Sequence, residues 1–275
     1  MLDVTRAYGL NFLFPARDNA VGECLRIFGE FARPEVDLLR AYMEAGPPGA
    51  LIDVGANVGS ICLPLAAARP DWRVLAFEAH RGLAGILSAN VLNNHLPNLE
   101  AFHAAVGAER AIVEFPTPSL GEEGNFGEGG FHQQAPLEPI LMRSLDEAAP
   151  ADTRIVKVDV EGFEAEVFKG ARRLIGTPVV WLFEWKANQA AVRANLAMFA
   201  AAGYRLFWFF APFVTRDTAK RGEGGRARGD FNCLALPAGA PNLWDLIEIT
   251  DPAAEPPKHG SHYGYLGRYG YVWRD

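Results

Sequence analysis

Ala50-Leu51-Ile52-Asp53-Val54-Gly55-Ala56-Asn57-Val58-Gly59-Ser60 decides the fold. An apolar run ends in an acid, a glycine-rich turn follows, and small and apolar residues suited to a helix come next. That order reads as a buried strand, a tight turn and a helix start. Gly55 and Gly59 carry no Cβ, so the backbone there can lie against a ligand. The free N–H groups of a helix start favour negative charge beside them. The turn is therefore suited to a nucleotide-like cofactor.

The details narrow the cofactor. A dinucleotide fingerprint, G-x-G-x-x-G, wants glycine where this chain has Asp53, which disfavours an NAD-dependent oxidoreductase. A phosphate-cradling P-loop needs Gly-Lys-Ser/Thr, which is missing. An acid at the strand tip repels a pyrophosphate and attracts a cation. S-adenosylmethionine, with its ammonium and sulfonium, has that charge. A turn that merely closes tightly is the bland alternative.

Working outward, 275 residues with 49% hydrophobic and 21% charged content give one large domain, or a domain with appendages, around a sizeable core. The net charge of −7 argues against a broad basic surface for nucleic acid. Cys24, Cys62 and Cys233 form no C-x-x-C pair, so neither a disulfide framework nor a zinc cluster is expected, and a reducing cytoplasm fits. Met1 to Arg6 lack a secretory pattern and no apolar run reaches bilayer length, so the expectation is a cytoplasmic protein with no membrane span.

Residues 1–45 read as an N-terminal extension, with a short strand or hairpin before Pro15 and a helix over 34–45 that Pro34 starts and Gly46-Pro47-Pro48-Gly49 stops. Residues 46–240 read as the core and 241–275 as an aromatic, glycine-rich tail. Within the core, strands are expected at 50–54, 73–78, 99–106, 111–115, 154–160, 178–184, 204–210 and 231–236. Helices are expected at about 58–68, with a kink at Pro64, then at 82–94, 163–174 and 188–202, and a short one starts at Ser144. Residues 116–135 form a long loop of the kind that carries function. Strands alternating with helices, four of the strands being continuous apolar runs, give a mostly parallel sheet buried on both faces. Ligands of such sheets sit at the carboxyl ends of strands. Asp53, Glu78, Asp159 and Glu184 all fall there, and four acids on one rim call for a cationic ligand, a metal or raised pKa values.

Several segments in one order resemble the FkbM family of S-adenosylmethionine-dependent methyltransferases over roughly residues 30–240. They are Ile52 to Gly59, Phe77-Glu78, Asn90 and Asn93, Ser144-Leu145-Asp146, Val156 to Glu164, Lys169-Gly170-Ala171 and Pro178 to Glu184. The resemblance implies a Rossmann-like class I methyltransferase fold, an α/β sheet of seven strands with helices on both faces and an antiparallel last strand. It implies methyl transfer to a hydroxyl, often on a sugar or another natural product. It places Asp53, Gly55, Ala56, Asn57 and Gly59 along the methionine end of S-adenosylmethionine, and Glu78 on the ribose hydroxyls. A carboxylate suits a vicinal diol, because it accepts two hydrogen bonds. Ala104 to Gly107, with Ala105 and Val106 foremost, falls against the adenine, although the acid that some methyltransferases carry there is missing. A non-catalytic S-adenosylmethionine-binding protein on the same fold is the second reading.

Methyl transfer from a sulfonium is an in-line displacement, so the acceptor oxygen must be aligned and water kept out. A sugar hydroxyl needs a general base or a metal. Asp159 is the first choice as base and Glu161 the second, with Glu184 the third carboxylate of the group. Asp159 also adjoins the cofactor. Lys157 shares a strand face with Asp159, either as the partner that sets the charge of these acids or as a structural ion pair. A divalent metal is compatible with acids at neighbouring strand tips, but the spacing requires none. His80 reads as an exposed loop histidine, and His259 and His262 as solvated. Residues 125–132 are one candidate lid. The loop 215–230 is another, with a basic cluster of Arg216, Lys220, Arg221, Arg226 and Arg228. Tyr263, Tyr265, Tyr269 and Tyr271 fit substrate stacking, a packing strand or a contact in a homodimer.

Overall fold

A computed structural model describes residues 1–127, 129–186, 190–219 and 229–272. Strands β1 (Leu2–Ala7) and β2 (Leu10–Pro15) form an antiparallel hairpin. Tyr8 and Gly9 join them with φ of 54° and 79°, the left-handed pair that a two-residue turn uses to match the twist of its strands. Helix α1 (Val21–Phe28), which the sequence reading lacked, and helix α2 (Arg33–Ala45) follow. Pro34 sits in the first turn of α2, where its missing N–H leaves no bond unmade. Val36, Leu38, Leu39, Tyr42 and Met43 face the core from this helix.

The main sheet draws on β3 (Ala50–Val54), β4 (Arg73–Glu78) and β5 (Leu99–His103). A separate three-stranded sheet comprises β6 (Ala105–Val106), β7 (Ala111–Pro116) and β8 (Leu137–Arg143). The main sheet continues with β9 (Thr153–Val158), β10 (Val180–Trp185), β11 (Arg205–Pro212), β12 (Gly229–Leu236) and β13 (Ile247–Glu248). Its order is β13-β11-β12-β10-β9-β3-β4-β5. Strands β5, β4, β3, β9 and β10 run parallel, and β12 is antiparallel to both of its neighbours. The class I methyltransferase architecture is thus present, with one strand beyond the expected seven: the two-residue β13 on the edge beside β11. Strand order reverses between β3 and β9, the place where ligands bind in such sheets.

Helices α3 (Cys62–Ala68), α4 (Arg81–Asn93), α5 (Leu145–Ala148), α6 (Glu164–Lys169), α7 (Arg172–Ile175) and α8 (Ala190–Ala201) connect these strands. Three expectations need correcting. Helix α3 starts at Cys62, so Pro64 lies in its first turn and no kink is required. The strand expected over 99–106 breaks at Ala104, because Ala105 and Val106 pair with β8 instead. The helix expected over 163–174 divides into α6 and α7 at Gly170. There the backbone of Gly107 and Ala108 passes so close that a Cβ would collide with the Gly107 carbonyl oxygen and crowd that of Ala108.

The hairpin docks through α4. Leu13 N–H donates to Asn90 Oδ1 at 2.7 Å, and Asn90 Nδ2 donates to the carbonyls of Leu13 and Val58, each at 2.9 Å. Asn94 makes the same pair of contacts with Asn11 one turn later, whereas Asn93 is exposed. The tail folds back onto β11. Tyr265 Oη accepts from Phe210 N–H and donates to Phe210 O, both at 2.8 Å. Tyr269 donates to Asp37 and Tyr271 to Val214 O. Among the described residues, no helix is long and apolar enough to cross a membrane.

Candidate active site

The four rim acids stand at or just past the ends of four adjacent parallel strands, in the order Glu78, Asp53, Asp159, Glu184, with Asp159 the residue after β9. Around them lie two adjoining pockets. Gly55, Asn57, Gly127 and Asp159 line both pockets, so the two form one cleft over the turn after β3.

That turn is built by conformations few residues tolerate. Gly55, Asn57 and Gly59 have φ of 81°, 51° and 92°. The space beside each glycine is filled by protein rather than left for a ligand. A Cβ on Gly55 would collide with the carbonyl oxygen of Asp159, and one on Gly59 with Leu63 Cδ1. The glycines therefore serve to lock the β3 turn against the β9 turn and α3.

The first pocket has an apolar side and a polar side. Phe131 stacks on Phe163 with centroids 4.3 Å apart, and Phe115 meets Phe131 edge-on. Ala104, Ala105 and Val106 join them, and Phe126, Gly127, Gly129 and Gly130 of the candidate lid line the pocket with Phe131. On the polar side Glu78 Oε2 accepts from Asn57 N–H at 2.8 Å, and Oε1 accepts from His80 N–H at 2.7 Å. Burial nevertheless pushes the Glu78 carboxyl up to about 7. His80 is not the exposed loop residue expected of it. It is buried, its Nδ1 accepts from the N–H groups of Gly82 and Leu83 at the start of α4, and its Nε2 reaches Pro118 O at 2.8 Å. An acceptor Nδ1 makes the ring neutral with its proton on Nε2, and burial lowers its pKa in the same sense.

The second pocket is rich in acids. Asp53 is 1% exposed, and its carboxylate meets the Cys62 thiol and the Lys157 ammonium. Lys157, its register partner across β3 and β9, holds Nζ 3.6 Å from Asp53 Oδ1 and 3.3 Å from Asp159 Oδ2. Burial raises the Asp53 carboxyl, and Lys157 only partly opposes the rise. Asp159, Glu161 and Glu184 bring their oxygens within 4.8 Å of one another, so the structure gathers all three residues expected to do chemistry. Hard oxygen donors at this spacing suit a divalent cation such as Mg²⁺. The ammonium of Lys186 already pairs with Glu161 and stands 3.3 Å from Glu184 Oε2. Burial, with Asp159 nearby, raises the Glu184 carboxyl against that pairing.

Glu161 and Gly162 are consecutive left-handed residues, φ 55° and 94°. Buried Glu164 holds this turn by accepting from the N–H groups of Gly162 and Val160. The spacing Glu161-Gly162-x-Glu164 carries that signal. Lys186 and Glu35, which also line the second pocket, were not singled out from the sequence, and no local pattern marks them. Among the described residues, no tail tyrosine lines either pocket, and His259 and His262 are exposed. Of the basic cluster, Lys220, Arg221, Arg226 and Arg228 lie outside the described residues.

Residues 53–206, more than half of the chain, match the family model for the methyltransferase FkbM domain. Solved structures with a similar course include the methyltransferase FkbM from Methylobacillus flagellatus KT, 15% identical with a TM-score of 0.46. That match covers 68% of this chain and 43% of the other, so this chain spans less than half of that protein's length. The O-methyltransferase TomG from Streptomyces achromogenes, involved in tomaymycin synthesis and solved in complex with SAM, is 15% identical with a TM-score of 0.46, covering 75% and 80%. A SAM-dependent O-methyltransferase from Thermotoga maritima is 11% identical with a TM-score of 0.49, covering 86% and 77%. A comparison with curated proteins finds no match.

Proposed function

This chain belongs to the FkbM methyltransferase domain family, and on that premise we propose that it is an S-adenosylmethionine-dependent O-methyltransferase acting on a hydroxyl of a small molecule, a sugar or other natural product. The observation that carries the reading is the buried carboxylate of Asp53 at the foot of a cleft that is rich in acids there and apolar and aromatic at its far end. A ligand with a cationic end and an aromatic end meets both demands.

The residues fit that cofactor along its length. Asp53, which lines the second pocket, offers its carboxylate to an ammonium. Glu78 spends one acceptor site per oxygen on Asn57 and His80 and keeps others for a vicinal diol. Ala105, Val106, Phe131 and Phe163 give an adenine an apolar slot.

S-adenosylmethionine supplies the methyl group on an electrophilic sulfonium. The chain supplies alignment, a base and exclusion of water. Asp159 lines both pockets and is oriented by Lys157, so it accepts the proton of the acceptor hydroxyl. Glu184, its carboxyl raised by burial and standing beside Lys186, lines the pocket where the acceptor would sit. Glu161, paired with Lys186, fixes the opposite edge of that site.

The test is a screen of hydroxylated sugars and natural products for S-adenosylhomocysteine formation. With a competent acceptor, Asp159→Asn lowers kcat by about 10²–10⁴-fold while S-adenosylhomocysteine still binds. Binding without turnover on any acceptor supports a non-catalytic binding protein instead.

A further inference from the structure

Glu35 is a buried acid that the reaction above does not use. It stands in the first turn of α2, outside the stretch the family model matches. Its side chain lines the second pocket beside Asp53, Lys157 and Asp159 and is 5% exposed. Among the described residues, none gives its carboxylate a hydrogen bond; its interactions are the charges of Lys157, Asp159, Asp230 and Asp53. Asp53, 1% exposed, has the Lys157 ammonium and the Cys62 thiol beside it.

Among the described residues, six acids and two cations, Lys157 and Lys186, line this pocket. Glu35, Asp53 and Asp159 all act on the ammonium of Lys157. Lys157 is already drawn towards Asp53 and Asp159, and the pocket's other cation, Lys186, pairs with Glu161 and Glu184. Buried carboxylates gathered beside one lysine are costly unless protonated or met by a further cation. A buried acid that only supported the fold would be expected to have a hydrogen-bonding partner.

We propose that Glu35 and Asp53 together seat the primary ammonium at the amino-acid end of the cofactor, Glu35 being a binding residue that the N-terminal extension lends to the core. The inference rests on the S-adenosylmethionine reading. A cationic group of this size enters the pocket from the shared turn at Gly55 and Asn57, and its charge offsets the acids that Lys157 leaves over.

The experiment is calorimetric titration of the wild type, Glu35→Gln and Glu35→Ala with three ligands. S-adenosylhomocysteine has the whole amino-acid end. Its decarboxylated analogue keeps the amine and loses the carboxylate. 5′-Methylthioadenosine lacks both. Loss of a charge-assisted contact predicts about a tenfold or greater weakening of the two amine-bearing ligands in both variants, with 5′-methylthioadenosine unchanged. Equal weakening of all three ligands, or no weakening of any, overturns the proposal. A second measurement needs no variant: titration of the wild type near pH 7 in buffers of different ionisation enthalpy. Proton release with S-adenosylhomocysteine but not with 5′-methylthioadenosine supports the seat, and equal release with both contradicts it. Should the wild type bind none of the three ligands, the cofactor reading itself falls, whereas failure confined to the Glu35 variants leaves that reading standing.

Discussion

The carboxylate of Glu78 accepts the amide N–H of Asn57 at 2.8 Å, so the acid that ends β4 and the left-handed residue of the turn after β3 form one unit. His80 N–H holds the other oxygen. Glu78→Gln replaces one acceptor with a donor facing a donor. The variant is expected to melt at a lower temperature and to bind S-adenosylhomocysteine about tenfold or more weakly, read by thermal unfolding and calorimetry.

Gly55 and Gly85 make opposite predictions for the same substitution. Gly55→Ala forces a Cβ against the Asp159 carbonyl at φ 81°, and about 2–4 kcal/mol of stability should be lost. Gly85 lies exposed within α4, and a Cβ added there would meet nothing within 4 Å, so Gly85→Ala should gain about 0.5–1 kcal/mol from helix propensity. Denaturant unfolding of both variants checks the pair.

Asn90 ties β2 to α4 and to Val58 through three hydrogen bonds. Asn90→Ala leaves Leu13 N–H, Leu13 O and Val58 O without that partner in a buried place. A loss of about 2–4 kcal/mol is expected, with hydrogen exchange accelerating first in the hairpin. Asn93→Ala, at an exposed site, should leave stability unchanged within about 0.5 kcal/mol.

The buried acids give the ligand-free protein a pH dependence of known sign. Burial pushes Glu35 up to about 8 and Glu78 up to about 7. Each binds its proton more tightly when folded than when unfolded, so stability falls as pH rises from about 4.5, the unfolded value, through those folded values. Lys157 opposes the rise at Glu35, while Asp53, Asp159 and Asp230 add to it. Glu35→Gln should flatten the upper part of this fall and leave the variant more stable than wild type at pH 8. A melting series from pH 5 to 9 reads both effects.

Much of the site was legible because parallel strands end in step. Asp53, Asp159 and Glu184 each close an apolar run, and adjacent runs in one sheet bring their last residues to one rim. The turn after β3 was legible for the same local reason, although its glycines prove to accommodate Asp159 O and Leu63 rather than a ligand. What stayed hidden depends on tertiary packing. Strand β8 carries Pro139, which normally argues against a strand. It is tolerated because β6 pairs only with Met142 and Arg143, leaving Pro139 bonded on one side. His80 caps a helix with an imidazole nitrogen, outside the usual Ser, Thr, Asp and Asn signal. Glu35 reads in the sequence as an ordinary first-turn acid, and only the packing of α2 against α3 and β11 brings it into one pocket with Asp53 and Lys157.

The most direct measurement is calorimetric titration of the wild type and Asp53→Asn with S-adenosylhomocysteine and, separately, with NAD. Micromolar binding of S-adenosylhomocysteine to the wild type, weakened in Asp53→Asn, with no heat from NAD, is the expected result. A well-folded wild type that ignores S-adenosylhomocysteine, or that binds NAD in its place, contradicts the assignment of this cleft to S-adenosylmethionine.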